Sequence, residues 1–86
     1  MDVRSLVAWN LRRLRVAKNI SQDELALTSD VERAYVGHLE RGTKNPTIDT
    51  LAKLAAALEC EIMELFRTAP ENALPLQPLR GGRRKM

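Results

Sequence analysis

Helix stops and starts crowd this chain. Asn19 is followed by Ser21, with Glu24 three residues later; Gly42 and Pro46 precede Thr47; Glu59-Cys60 breaks the pattern once more. Between these punctuation marks, apolar residues recur at spacings of three and four, the period of a helix with one buried face. A chain cut in this way is directed toward several short helices packed around one core.

The palette agrees with that reading. Trp9, Tyr35 and Phe66 are the only aromatic residues among 86, so the core is built from Leu, Val, Ile and Ala, which suits packed helices better than sheets. The length allows one domain. The composition shifts near residue 68, which divides the chain into a folded unit, 1–68, and a tail, 69–86, expected to be flexible and disordered because it carries three prolines and two glycines without any period. Cys60 has no second thiol to pair with, and no metal or cofactor is expected. Neither a membrane-spanning run nor a secretory leader is visible, which makes the expected location cytoplasmic.

Charge needs closer reading. The formal net charge is +3. Through Thr68 ten Lys/Arg balance ten Asp/Glu, and the whole excess lies in the tail, where Arg80, Arg83, Arg84 and Lys85 outweigh Glu71. A bulk basic surface is therefore no argument for nucleic acid; the placement of individual side chains must carry it.

Five helices are expected. The first runs from about Val3 to Lys18, with Val7, Leu11 and Leu14 on one face and Leu6 close by; Asn19 suits the left-handed residue that follows a helix. Ser21 and Glu24 form a capping box for a short second helix ending near Thr28, where Thr28-Ser29-Asp30 makes a turn. A third runs from about Glu32 to Arg41 and stops at Gly42. Thr47 caps a fourth, which carries Ile48, Leu51, Leu54, Ala55 and Leu58 on one stripe, and a short last helix uses Ile62, Leu65 and Phe66.

The second and third helices and their tight turn, about 22–41, have the form of a helix-turn-helix. At 100° per residue, Tyr35, Val36 and Leu39 of the third helix fall on one side. Arg33, Ala34, Gly37, His38 and Arg41 fall on the other. That outward face has hydrogen-bond donors at both ends and small residues between, a profile suited to a DNA major groove. Taken singly, an exposed arginine or a lone histidine is ordinary surface; their joint placement after a capped short helix is the signal.

SQDELA at 21–26, VERAYVGHLERG at 31–42 and Pro46 resemble the Cro and phage-repressor-like, or XRE-type, helix-turn-helix family over roughly Val7 to Phe66. The resemblance implies an all-α, compact lambda-repressor-like domain that places its third helix in the major groove. It implies that Ser21 and Gln22, with the amide groups around them, hold a phosphate at the start of the second helix. Arg33, Ala34 and His38 would lie beside base edges, with Gly37 and Arg41 alongside. Thr43, Lys44 and Asn45 would grip the backbone. Glu40 would pair with Arg15 and orient the reading helix without touching DNA. The chain departs from the pattern at Asp30 and Glu59, where glycine is common, and at Glu32, where Ser or Thr commonly caps the third helix.

The implied partner is double-stranded DNA, and the implied function is a small sequence-specific transcriptional regulator of bacterial or phage type. It would act as a repressor, bind a palindromic operator as a homodimer, and lie with the nucleoid. Ile62 and Met63 are candidates for the dimer contact, and Trp9 is either a second contact or a partly covered surface residue. The RGGRRK end reads as a nucleic-acid-binding arm or a solubilising tail. Alternative readings are the DNA-binding antitoxin of a toxin–antitoxin pair, with a protein partner on the tail or the last helix, or a helix-turn-helix scaffold used only for protein contacts. An enzyme is not expected, because His38 and Cys60 have no acid or base partner.

Overall fold

The computed structural model describes residues 2–70. In chain order these form α1 (Val3–Ala17), α2 (Gln22–Ser29), α3 (Arg33–Glu40), α4 (Ile48–Ala57) and a 3-10 turn (Ile62–Phe66). The described residues thus contain four α-helices, where five helices were expected. Only five residues separate Glu61 from Arg67, so the last segment closes i→i+3 bonds instead of a full α-helical ladder.

Three of the four α-helices start where a side chain accepts an orphan backbone N–H. Asp2 caps α1 through Ser5 at 2.8 Å, and this bond from the backbone N–H holds its carboxyl below the ordinary value. Ser21 and Glu24 close a reciprocal box at α2, with bonds of 3.0 and 2.7 Å, and Thr47 caps α4 through the N–H of Thr50. Glu32 precedes α3 but makes no side-chain cap. All four α-helices are followed by a residue in left-handed backbone. Asn19, Asp30 and Glu59 supply it without glycine, at φ near 60°, while Gly42 takes φ 73°.

Val7, Leu11, Leu25, Val36, Leu39, Leu51, Leu54, Leu58 and Leu65 form the core, all buried. Ile48, expected on the buried stripe of α4, is 77 % exposed. It is the first residue of the helix, before the stripe turns inward. Phe66 is 43 % exposed, leaving Leu65 as the buried anchor of the 3-10 turn.

Asn10 secures that turn. It is fully buried on α1, and its amide nitrogen faces the carbonyl oxygens of Leu6 (3.1 Å), Leu65 (3.1 Å) and Arg67 (2.8 Å). Its own oxygen accepts from Arg13 Nε and Nη2. An asparagine in mid-helix is usually surface; here it satisfies the carbonyls of a segment too short to satisfy itself.

Candidate nucleic-acid interface

The helix-turn-helix is locked by charge as well as by core packing. Arg15, on α1, donates from Nε and Nη2 to the two oxygens of Glu40 at 2.6 and 3.1 Å, and from Nη1 to the carbonyl of Ile20. Glu40, at the end of α3, also accepts from Gln22 Nε2 at 2.9 Å. Both charged side chains are almost wholly buried. One carboxylate therefore ties three helices together, and every bond in the set is charge-assisted.

Gln22, expected at a phosphate, spends one amide hydrogen on Glu40 and is half-buried. Its place at the head of α2 is therefore fixed by the network that positions α3. Ser21 is occupied in the capping box.

The outward face of α3 consists of Arg33 and Ala34, both exposed, half-buried His38, and exposed Arg41 at the helix end. Gly37 lies in the middle and counts as buried, although not under the protein core. A Cβ built there would meet Arg33 Nη1 at 3.1 Å and Arg41 Nη1 at 3.3 Å. The two arginines, one turn before and one turn after, fold their tips over the bare backbone. Arg33 is in turn held by Asp23 of α2, with Nε 2.6 Å from Oδ1.

His38 is tied into the start of the following loop. Its Nδ1 lies 3.2 Å from Arg41 Nη2 and 3.1 Å from the Thr43 hydroxyl. A guanidinium has no acceptor, so Nδ1 is the acceptor in the arginine contact. The Thr43 N–H donates to the His38 carbonyl at 3.0 Å, which closes the turn at Gly42, and its hydroxyl, with one proton to give, stands 3.1 Å from both that carbonyl and Nδ1.

Lys44 and Asn45 are exposed in this loop. They share an apolar-floored cleft with Val3, Arg4 and Phe66, so the start of α1 and the loop after α3 open to the same side. Arg4 was not anticipated from the sequence; nothing in its spacing relates it to a loop forty residues away.

The expected dimer residues are on α1 and the 3-10 turn. Trp9 is half-buried, with the Arg13 guanidinium 5.6 Å from its ring centre. Arg13 also reaches Glu64 on the 3-10 turn at 3.4 Å. Ile62 packs partly against the core, whereas Met63 is 74 % exposed. Most of the basic tail, from residue 71 on, lies outside the described residues. Among the described residues no group of His, Cys, Asp or Glu is arranged to hold a metal ion, and no helix is long and apolar enough to cross a membrane.

Comparison with known proteins places this geometry. A helix-turn-helix family model, HTH_3, matches residues 11–65. An uncharacterized HTH-type transcriptional regulator of Sinorhizobium fredii, y4dJ, is 42 % identical over 72 residues, covering 84 % of this chain and 94 % of its own. Control protein C.SmaI of Serratia marcescens is 40 % identical over 66 residues, covering 77 % and 79 %. The crystal structure of the restriction-modification controller protein C.AhdI from Aeromonas hydrophila superposes with a TM-score of 0.72 at 44 % identity, over 73 % of this chain and 96 % of that one. The chain belongs to the XRE-type helix-turn-helix family.

Proposed function

We infer that this protein is a sequence-specific double-stranded DNA-binding transcriptional regulator. The observation that carries the reading is the outward face of α3. It presents Arg33, Ala34, His38 and Arg41 around a glycine whose backbone is covered only by arginine tips. A major groove admits one helix, and its base edges accept from arginine and from a ring N–H. With no side chain at Gly37, the tips of Arg33 and Arg41 lie close over the α3 backbone, and the helix can approach the bases closely. The relatives support the reading: several are transcriptional regulators, and others are control proteins of restriction-modification type.

Phosphate contacts frame the reading helix on both sides. The head of α2, with Ser21 and Gln22, offers N–H groups and the positive end of the helix dipole. Thr43, Lys44 and Asn45 hold the strand across the groove, with Arg4 beside them. Glu40 and Arg15 stay inside and orient α3.

The regulator acts as a repressor, with two copies related by a two-fold axis on half-sites one helical turn apart. Met63 and Trp9 are the candidate contacts, with Ile62 contributing only its uncovered side. Selection from random duplexes, followed by light scattering with and without the selected DNA, tests the whole reading. Enrichment of an inverted repeat bound by two chains is expected. Absence of any salt-dependent duplex binding would leave the fold as a scaffold for protein contacts.

A further inference from the structure

We propose that Asp23 is a positioning residue that presets Arg33 to read a guanine; this rests on the DNA-binding reading above. Asp23 stands in the first turn of α2, on the side where the chain is to meet phosphates, and it is 82 % exposed. An acid there repels the DNA backbone and lowers affinity for any duplex. Its pair with Arg33 does not compensate through stability, because exposed ion pairs contribute little. What the pair does is geometric.

Arg33 is the first residue of α3, a long side chain with many rotamers on open surface. A guanidinium reads guanine O6 and N7 with two donors of its fork, and its selectivity depends on that fork being held at a fixed angle. Asp23 Oδ1 receives Nε at 2.6 Å. This bond occupies the inner edge of the guanidinium and leaves both terminal amino groups for a base. Gly37 completes the cradle: Nη1 lies 3.1 Å from where a Cβ would stand, a space that only glycine leaves open.

Arg41 Nη1 approaches the same point from the other side, at 3.3 Å. Two cationic groups thus converge on one spot in the middle of the reading face. Asp23 neutralises Arg33 through Nε, which leaves Nη1 and Nη2 as donors for the two acceptors that guanine presents in the major groove.

The test compares the full-length wild type, Asp23→Ala and Asp23→Asn in selections from random duplexes, then measures each on the selected site and on every single-base variant of it. Circular dichroism checks that the variants fold. We expect Asp23→Ala to keep or raise its affinity for non-specific duplex while losing about five- to tenfold of its preference for guanine at one position of each half-site. Asp23→Asn keeps an acceptor oxygen and should fall between. Arg33→Lys should lose preference at that same position. If the wild type selects a motif and Asp23→Ala selects it with unchanged base preferences, Asp23 has no positioning role, although the DNA-binding reading survives. If the wild type selects nothing, both fall together.

Discussion

Glu40 holds Arg15 by two bonds inside the protein, 2.6 Å to Nε and 3.1 Å to Nη2, with both side chains closed to solvent. The pair joins the end of the reading helix to α1, and Gln22 adds α2 to the same carboxylate. Replacing either partner alone strands the other as a buried charge. Arg15→Leu or Glu40→Leu should each lower stability by about 3–5 kcal/mol, while the double replacement should recover much of the loss. Urea unfolding of the three variants measures this directly.

Asn10 is the polar counterpart of that lock. Asn10→Leu would leave the carbonyls of Leu65 and Arg67 without their buried donor and Arg13 without its acceptor. A loss of about 2–3 kcal/mol is expected, since unsatisfied buried groups retain their desolvation cost. Amide exchange should quicken first in the 3-10 turn, because Asn10 bonds two of the carbonyls at its end to α1.

Much of this architecture is readable in the residues themselves. Ser21 with Glu24, and Thr47 with Thr50, are local signals, complete within one turn, and the helices start where they say. The outward set on α3 likewise follows from angular spacing alone. Asn10 gives no such signal, because its partners lie 55 and 57 residues away. Nor does Asp23, whose bond to Arg33 depends on how two helices cross. The exposed Ile48 shows the limit of periodicity: a residue can fit the stripe by angle and still lie outside the packed part of the helix. The fifth helix was expected from Ile62, Leu65 and Phe66, but that segment is too short to sustain an α-helical ladder.

The left-handed positions make a matched pair of tests. Asp30 adopts φ 60° with a side chain, whereas Gly42 adopts φ 73° without one. Asp30→Gly should raise stability by about 0.5–1 kcal/mol, and Gly42→Ala should lower it by about 1 kcal/mol or more. A Cβ at Gly42 finds only ordinary contacts with Ser5 and Arg4, at 3.7–3.8 Å, so the penalty is conformational. Thermal melts of both variants would show the opposite signs.

Cys60 should react slowly. Burial pushes its thiol above the ordinary value, and nearby Glu64 adds to the effect. A raised value keeps the proton on sulfur as pH climbs, so the thiolate fraction at pH 8 is smaller than that of a free cysteine. Iodoacetamide labelling of the folded protein should lag behind labelling in denaturant, and the lag should shrink as pH rises.

The central claim is that the outward face of α3 enters the major groove, and Gly37 is the place to challenge it. A Cβ there would meet first the far ends of the Arg33 and Arg41 side chains, at 3.1 and 3.3 Å, which can swing aside, and glycine in a helix is about 1 kcal/mol worse than alanine. Gly37→Leu should therefore fold at least as stably as the wild type. Its bulk would project where the bases come closest, so affinity for the selected operator should fall about a hundredfold or more, by the cost of one badly placed group at the reading face. A well-folded Gly37→Leu that binds the operator as tightly as the wild type would contradict the account.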